Sequence, residues 1–422
     1  MKLTFHVDYR TQWGESLYIY GSIPALGNNV EDDAVKMSIS DSEHWIATID
    51  VPDDVKSIDY NYVVRNENGS IKHEWGQHHV FHLPSKVETA EIFDRWQDQP
   101  WDKPYYSSAF TECICKRESR AHKLTPAKGK IQIQVIAPMV KPDEVLAICG
   151  SADELGAWDA GKAVVMNDAS YPIWSVNLPA KGLTASTEYK FVILRAETRE
   201  LVAWESGSNR FIGINLDADK ATVIAGLRFI SPLAPWKGAG TAIPVFSIRT
   251  DKDFGVGDFG DLFDMVDWCV ETGQTFLQIL PINDTTMTHT WTDSYPYNAN
   301  STFALHPMYL RLTELGVLDD ADRQAYYDNL GRELNSLAEI DYERVTEGKL
   351  EFAREIFAQN GKQVVASKDF KEFVKRNEYW LKPYAVFCVL RDKFGTPYYN
   401  LWGEYAEYNE AKIERFVCDN TY

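Results

Sequence analysis

The chain has 422 residues, of which 45% are hydrophobic and 13% aromatic, and its formal net charge is −19. This length and apolar content predict about three globular domains with ample cores. The negative charge argues against nucleic-acid binding, which needs a basic surface, and so favours a neutral or cationic ligand.

Membrane insertion and metal binding are not indicated by the sequence. No apolar run approaches the roughly 18 residues of a membrane helix, and the first residues lack the apolar core of a signal peptide. The six cysteines are scattered, without the spacing of a zinc site or a disulfide framework. We therefore expect a soluble, cytoplasmic chain with reduced cysteines, no membrane partner, no metal and no other cofactor. No feature of the sequence indicates an oligomeric state.

A tandem repeat occupies the first half of the chain. The stretch from Leu17 to Trp75 recurs from Leu146 to Trp204 at an offset of 129 positions. Such a repeat indicates two structurally equivalent modules, and differences at matched positions separate residues that serve the fold from residues that serve a ligand. Matched pairs are Gly27/Gly156, Trp45/Trp174, Tyr60/Tyr189, Val63/Val192 and Trp75/Trp204.

Both modules show short alternating strands separated by turn residues. Module one (residues 1–95) and module two (residues 128–230) have the pattern of an all-β, immunoglobulin-like sandwich of about 100 residues. Residues 96–127 lack a clean period and are predicted to be a linker, with room for one docked strand. The clearest predicted strands are 16–20, 44–51, 57–64, 145–149, 173–178 and 188–193.

The pattern changes at residues 231–422. Apolar runs at 241–248 and 275–280 flank a helical pattern at 260–271, which predicts a βαβ unit. Such units build parallel sheets and barrels, but 192 residues are fewer than the roughly 250 of a complete (β/α)₈ barrel. We expect the beginning of an α/β (TIM-type) barrel with a helical insertion, within an N-terminal portion of a longer protein. Candidate helices of the insertion are 319–337, 346–359, 368–373 and 380–394.

Module two carries aromatic and polar residues outside its core pattern. Trp158 falls in a turn, Lys190 on a strand, and Trp204 begins a polar run that contains Glu205 and Asn209. Sugars present apolar C–H faces ringed by hydroxyls, so a glucan site needs flat aromatic rings and a few polar side chains. The pattern resembles family 20 of the starch-binding modules, in which the turn tryptophan, the strand lysine and the second tryptophan form the main glucan site.

Alternative interpretations of these tryptophans remain open. A core position is favoured for Trp174, which begins an alternating apolar run. Module one retains Trp75 but has Asn29 and Asn61 at the places of the turn tryptophan and the strand lysine. We expect its site to be weaker or rebuilt, and a packing role for module one is an equal alternative. The aromatic residues available for a rebuilt site are Trp75, Trp13, Tyr18 and Tyr20.

Four motifs in the third region occur in the order DFGVGDFGD, QILP, DSYPYN and STFALHP. In the first motif, Asp258 and Asp261 suit capping of the following helix, whereas a phosphate cradle is excluded by the charge and the missing lysine. The motifs resemble those of glycoside hydrolase family 77, the amylomaltases or disproportionating 4-α-glucanotransferases. Tyr295 is inserted relative to that family, and His306 stands where it usually has asparagine.

The resemblance implies roles for three residues of the DSYPYN motif. Asp293, Ser294 and Tyr297 would lie near the donor and acceptor subsites, with Tyr297 stacked on a glucose ring. A structural alternative for Tyr297 is an anchor of its loop.

The resemblance also implies a retaining reaction. Retaining transfer uses a nucleophilic carboxylate and an acid/base carboxylate about 5 to 5.5 Å apart. The family motifs that carry them do not occur in this sequence, so we assign no catalytic residue and expect the chain alone to be inactive. The full protein is expected to be a 4-α-glucanotransferase that moves glucosyl or maltosyl units between α-1,4-glucans.

The expected partners are α-glucans, namely maltose, maltooligosaccharides, glycogen and starch. Two other classes of protein remain possible from the sequence. One is a non-catalytic scaffold that binds glycogen or starch, and the other is a hydrolase of the α-amylase type.

Overall fold

The structure, a computed structural model, describes residues 1–40, 44–76, 78–84, 87–119 and 121–420. The chain divides into two compact units, Met1–Pro235 and Trp236–Tyr422. The last two residues of the predicted third domain, 421 and 422, lie outside the described residues.

Module one is a sandwich of two sheets. Its strands are β1 (Lys2–Asp8), β2 (Glu15–Gly21), β3 (Val35–Lys36), β4 (Ser38–Ile39), β5 (His44–Asp50), β6 (Ser57–Asn66), β7 (Ile71–His73), β8 (His79–His82) and β9 (Thr89–Arg95). One sheet has the order β4–β5–β1–β9, and the other has the order β3–β2–β6–β7 with β8 also paired to β6. Alternate residues point into the core, as shown by the fully buried Leu3, Phe5 and Val7 of β1.

Module two repeats this architecture. Its strands are β10 (Lys130–Ile136), β11 (Glu144–Gly150), β12 (Val164–Val165), β13 (Asn167–Ser170), β14 (Ile173–Pro179), β15 (Glu188–Arg195), β16 (Leu201–Trp204), β17 (Arg210–Phe211) and β18 (Ala221–Arg228). One sheet has the order β13–β14–β10–β18, and the other has the order β12–β11–β15–β16 with β17 also paired to β15. The six strands predicted from alternation are all present, and Trp174 is completely buried, as predicted.

A direct pairing of β9 with β18 joins the two modules. These strands run parallel, from Ala90 opposite Ala221 to Phe93 opposite Ile224. The pairing merges one sheet of each module into a continuous sheet of eight strands, in the order β13–β14–β10–β18–β9–β1–β5–β4. The modules are therefore connected by backbone hydrogen bonds as well as by the linker.

Side chains of the two joining strands reach both cores. Val223 of β18 belongs to the core of module one, whereas the adjacent Ile224 belongs to the core of module two. In the same way Ile92 of β9 lies in the core of module one, and Phe93 packs against the core of module two. Because neighbouring side chains of a strand point to opposite faces, the shared sheet changes its core-facing side at this seam.

The linker packs against module two without forming a strand among its described residues. It contains a 3₁₀ turn at Lys103–Tyr106 and a wide helical turn at Ala109–Ile114. Farther on, Arg117 donates to Asp168 over 3.1 Å and lies 4.6 Å from the ring centroid of Trp174. The predicted docked strand is therefore wrong, because side-chain contacts hold this segment in place of a β ladder.

The second unit begins with the predicted βαβ arrangement. Strands β19 (Gly240–Ala242) and β20 (Phe276–Gln278) pair in parallel, and helix α1 (Asp261–Glu271) lies between them in sequence. β19 is shorter than predicted because Pro244 lacks a backbone N–H and a 3₁₀ turn follows at Val245–Ser247.

Helices make up most of the remaining second unit. They are α2 (Ala321–Asn335), α3 (Tyr342–Ala366), α4 (Lys368–Phe394) and α5 (Glu410–Asp419). The prediction of separate helices at 368–373 and 380–394 is wrong, because α4 continues through Pro383. Packing on both sides of the proline sustains it: Trp380 stacks on Phe303, and Leu390 lies in a cluster with Trp402.

Three apolar residues of α1 are open to solvent. Phe263 and Val270 are 76% and 71% exposed, and Val266 is 50% exposed. A contiguous apolar face of this kind marks a contact surface. Among the described residues, no helix combines the length and apolar content needed to cross a membrane.

We predict that Val223→Ala destabilises module one although the residue lies on a strand of module two. The expected cost is about 2 kcal/mol, because the substitution opens a cavity in the core of module one. Hydrogen exchange of β1 and β9 measures the effect. The matched control is Ile224→Ala, which should instead accelerate exchange in β10 and β14. The comparison uses amides that open locally, because the most protected amides report the whole unit. Equal effects of both substitutions on locally opening amides of both modules would contradict the two-faced strand.

Candidate functional site

Two tryptophan side chains meet at the surface of module two. Trp158 lies in a left-handed turn, with φ of 64° after Ala157 at 48° and Gly156 at 82°, and its N–H donates to the carbonyl of Gly150 over 2.8 Å. Trp204 ends β16, opposite Val192. The ring centroids are 6.1 Å apart with an interplanar angle of 50°, and Trp158 is 36% exposed. The two rings thus form an angled aromatic surface.

The turn depends on its glycine. A Cβ added to Gly156 would lie 2.9 Å from the carbonyl oxygen of Lys162, and the positive φ disfavours other residues. This explains why a glycine precedes Ala157 and Trp158 in the turn.

Lys190 supplies a cation beside the rings. Its ammonium group donates to the carbonyl oxygens of Glu205 and Gly207 over 3.2 and 2.6 Å. Because a lysine ammonium has three N–H donors, the two carbonyls fix its position and leave one donor for a ligand hydroxyl. The strand lysine and both tryptophans are therefore brought together, as the sequence indicated.

Glu205 lies below this surface. Its carboxylate is 3% exposed, forms an ion pair with Arg210 at 2.5 Å, and accepts the N–H groups of Phe191 and Ile230 over 3.5 and 3.1 Å. These contacts fix the segment that carries Trp204. Glu205 therefore supports the site from beneath, which is a different position from the sugar contact expected from the sequence.

Asn209 lies at the exposed edge of the same segment. Its side-chain amide donates to Glu188 over 2.7 Å. The residue as a whole is exposed. Contact with a sugar by Asn209 remains a prediction.

The matching of Trp75 with Trp204 is wrong. Val192 pairs with Trp204, whereas the corresponding Val63 pairs with His73. The hairpin from Val192 to Trp204 in module two is two residues longer than the hairpin from Val63 to His73 in module one. The constant offset of 129 positions therefore no longer applies at the second strand of the hairpin, and His73 is the counterpart of Trp204. Trp75 instead lies at the seam, with its ring 5.3 Å from the ring of Tyr106 and 5.6 Å from the guanidinium of Arg228.

Module one has a histidine where module two has the supporting arginine. Tyr189 pairs with Arg210 in module two, and the matched Tyr60 pairs with His79. His79 bonds to Glu74 over 3.0 Å and lies 3.7 Å from Asp94. Like Glu205, Glu74 accepts two backbone N–H groups, those of Tyr62 and Gln97. Both modules thus have a buried glutamate paired with a cationic side chain. In module one this side chain is a histidine, whose charge depends on pH, in place of an arginine.

In the second unit, Asp293 is buried at 5% exposure. One carboxylate oxygen accepts the N–H groups of Met287, Thr288 and His289 over 3.0, 2.8 and 2.7 Å. Asp293 therefore orders the loop that carries the DSYPYN motif. Its direct contact with a glucan remains a prediction from the family motif.

Ser294, Tyr295 and Tyr297 lie on the exposed side of this loop. Tyr295 and Tyr297 are 63% and 62% exposed, and their ring centroids are 5.6 Å apart. Exposure of this size fits a surface ring better than an anchor of the loop. The inserted Tyr295 thus adds a second ring beside the tyrosine that the family motif singles out.

His306, which departs from the family motif, has a structural position. It is 3% exposed, accepts the N–H of Met308 at Nδ1 over 3.1 Å, and hydrogen-bonds through Nε2 to the hydroxyl of Tyr342 over 3.0 Å. Burial lowers the pKa of His306, which keeps the imidazole neutral. Since Nδ1 accepts, Nε2 carries the proton and donates to Tyr342.

Asp253, Asp258 and Asp261 form a buried carboxylate cluster that is held by cations of the protein. Arg311 donates to Asp258 and Asp261 over 2.6 and 2.5 Å, and Lys349 lies 3.8 Å from Asp258. Both carboxylates also accept backbone N–H groups at the start of α1, as predicted: Asp258 accepts that of Gly260 over 2.8 Å, and Asp261 accepts that of Asp258 over 2.7 Å. Although the three groups lie close enough to hold a metal ion, Arg311 and Lys349 already supply the positive charge there.

Sequence reasoning missed Arg311 and Lys349. Lys349 is 1% exposed and donates to the carbonyls of Met308 and Leu310 over 2.7 and 2.9 Å. Burial lowers its pKa to about 8, against the opposing effect of Asp258. In the sequence, Arg311 and Lys349 differ from other cationic residues only in having no obvious acidic partner nearby. That difference is too weak to predict a buried network with Asp258 and Asp261.

We predict that the stability of module one falls as the pH rises from about 6.5 to 9. Burial opposes protonation of His79, but Asp94 and Glu74 more than offset it and raise the pKa to about 9. A group whose pKa is higher in the folded state stabilises it below the unfolded pKa and loses that contribution as pH rises through the folded value. Urea unfolding at several pH values measures this, and His79→Gln should flatten the profile; an unchanged slope would rule out His79 as its source.

Arg311→Met is expected to destabilise the second unit by about 3 to 5 kcal/mol, because it leaves buried carboxylates without their cation. Thermal or urea unfolding measures the loss. The matched control is Arg344→Met, since Arg344 forms an exposed ion pair with Glu333 at 2.7 Å. The control should change the melting temperature little, and a similar effect of both substitutions would contradict the assigned role of the cluster.

Comparisons with known proteins give a family for each part of the chain. Residues 243–420 match the model of glycoside hydrolase family 77, described as 4-alpha-glucanotransferase. Residues 1–92 and 128–224 match the model of family 20 carbohydrate-binding modules, described as starch binding domain. Both matches fall on the parts of the chain where the motifs were found.

Among individual proteins, the chain is 34% identical to the 4-alpha-glucanotransferase DPE2 of Oryza sativa subsp. japonica, over 99% of this chain and 46% of that protein. It is 36% identical to the 4-alpha-glucanotransferase of Chlamydia muridarum (strain MoPn / Nigg), over 39% of this chain and 30% of that protein. The chain thus spans about half the length, or less, of these curated relatives.

A solved structure, the glycoside hydrolase family 15 glucoamylase from Hypocrea jecorina, is 26% identical over 23% of this chain and 17% of that chain, with a TM-score of 0.22. A score this low carries no argument. The family matches and the long alignment with the rice protein identify the domains: the chain contains two starch-binding domains of family 20, followed by residues that belong to the 4-alpha-glucanotransferase family, glycoside hydrolase family 77.

Proposed function

We propose that this chain is the glucan-binding and substrate-shaping part of a 4-α-glucanotransferase. The protein would transfer glucosyl or maltosyl units from maltose or other α-1,4-glucans to acceptors of the glycogen or starch type. The observation that carries the proposal is the Trp158–Trp204 surface with Lys190 fixed beside it. Rings of this kind stack on the C–H faces of glucose, and the ammonium group orients a hydroxyl.

The exposed tyrosines of the second unit support a further glucan contact. Tyr297, with Tyr295 beside it, offers an open ring on the loop ordered by Asp293. We propose that this loop contributes to the donor and acceptor subsites, with Tyr297 stacked on a glucose ring and Ser294 within reach of its hydroxyls.

The retaining chemistry requires two carboxylates with room for a sugar between them. Asp293 belongs to the loop and Asp284 precedes it in sequence, but both are buried and hydrogen-bonded within the protein. Asp284 accepts from Thr286 and from the hydroxyl of Tyr384. The proposal therefore assigns the nucleophile and the acid/base to residues that are not in this sequence.

We also propose that β19, α1 and β20 are the first βαβ unit of a (β/α)₈ barrel. A parallel pair of strands is not stable by itself in water, and the exposed stripe of Phe263, Val266 and Val270 on α1 suits burial by further barrel elements. Cytoplasmic localisation is part of the proposal, and the free cysteines among the described residues support it.

Trp158→Ala or Trp204→Ala is expected to lower the affinity for β-cyclodextrin by roughly 1 to 3 kcal/mol without unfolding the chain. Titration calorimetry measures the change. Trp101→Ala is the matched control, because Trp101 is 81% exposed in the linker, and its loss should leave affinity unchanged. Trp75→Ala should have a smaller effect than Trp204→Ala; the reverse order would place the main site at the seam.

The transfer reaction itself is tested by glucose release from maltose with glycogen as acceptor. The chain as given should release none, because the catalytic carboxylates are assigned elsewhere. Release with a constant number of reducing ends would show that residues 1–422 contain the transferase chemistry. Release with a growing number of reducing ends would indicate a hydrolase and contradict the proposed reaction.

A further inference from the structure

We infer that glucan recognition in the first unit belongs to module two alone, and that module one has become structural support for that site. The inference rests on the proposed function, because the ligand is again an α-1,4-glucan. It starts from the three positions of module one that correspond to the two tryptophans and the lysine. Turn geometry and strand register place Asn29, Asn61 and His73 there.

The replaced side chains are engaged with module one itself. His73 binds Glu31 over 2.8 Å, and Asn61 hydrogen-bonds to His78. Asn29 keeps the left-handed conformation of the turn, with φ of 64°, the value found at Trp158. The backbone of the site is thus preserved, while its two indole rings and its ammonium group have been replaced by two asparagines and by an imidazole that Glu31 already binds.

Of the four aromatic candidates for a rebuilt site, Tyr20 is half-buried opposite Asn61 and hydrogen-bonds to it, which leaves three rings to consider. The guanidinium of Arg65 lies 4.7 Å from the ring centroid of Tyr18 and covers that ring. Trp75 lies at the seam against Tyr106. Trp13 is 99% exposed, so its ring is not framed by polar groups that would orient a sugar, as a specific site requires.

The first part of the linker, together with Trp75 of module one, provides the contacts that hold Arg228 of module two. The guanidinium donates to Gln97 Oε1 over 3.1 and 2.8 Å and to the hydroxyl of Tyr106 over 2.8 Å. It also lies over the ring of Trp75. Gln97 in turn donates to the carbonyl of Gly226 over 3.1 Å. These contacts add side-chain bonds to the β9–β18 pairing.

The backbone of Arg228 connects these contacts to the proposed glucan site. Its carbonyl oxygen accepts from Arg210 over 2.7 Å. Arg210 holds Glu205, and the carbonyl of Glu205 helps to hold Lys190. A residue whose side chain is anchored at the seam, by the linker and by Trp75 of module one, therefore stabilises the segment that carries Trp204. Arg228 is a positioning residue for glucan binding.

Titration of the full chain with β-cyclodextrin tests the division of roles. Trp13→Ala is matched to Trp158→Ala, because each removes an exposed tryptophan from one module. Trp13→Ala should leave the affinity within about twofold of the parent, whereas the double variant Trp158→Ala/Trp204→Ala should lose at least about tenfold. Residual binding that Trp13→Ala and His73→Ala leave unchanged would agree with recognition by module two.

Residual binding in the double variant that weakens when Trp13→Ala or His73→Ala is added would overturn the inference and leave the proposed function intact. Absence of glucan binding by the parent chain would defeat both. The two failures are therefore distinguishable in one set of titrations.

The supporting role of Arg228 has its own test. Arg228→Met should weaken β-cyclodextrin binding roughly threefold or more at temperatures where the chain is folded. Arg195→Met is the control, since Arg195 pairs with Asp143 elsewhere in module two. A lowered melting temperature with unchanged affinity would show a purely structural role and contradict positioning.

Discussion

The parallel pairing of β9 with β18 is the constraint on which the first unit depends. It merges one sheet of each sandwich into a continuous sheet. It also places side chains of each joining strand in the cores of both modules. Apolar side chains of both joining strands are buried at this pairing, so separating the modules would expose apolar surface together with two unpaired strand edges. Arg228 adds a charged contact at the same place. The two modules are therefore connected by the shared sheet as well as by the linker.

The proposed glucan site depends on this frame through its backbone. The left-handed turn places Trp158, the hairpin places Trp204, and a buried ion pair fixes the segment between the tryptophan and Arg210. Such a site is preorganised, so little conformational entropy is lost when a sugar binds. Module one shows the same frame with different occupants: Asn29 keeps the turn of Trp158. The two modules thus share one fold, while the proposed binding residues are present in module two alone.

The sequence predicted much of this structure where local patterns decide it. The alternating strands, the burial of Trp174 and the meeting of Trp158, Lys190 and Trp204 are all present. The match of Trp75 to Trp204 failed because a hairpin two residues longer shifts register without altering either motif. The burial of Glu205 and the pairing of β9 with β18 depend on contacts distant in sequence, which alternation alone does not encode.

Hydrogen exchange with and without β-cyclodextrin tests the central claim most directly, because binding stabilises the whole cooperative unit that contains the site. If the shared sheet makes the first unit cooperative, the ligand will slow the most protected amides of β1 and β5 in module one as well as those of β15 in module two. Slowing confined to module two would show that the modules open independently, and would contradict the account.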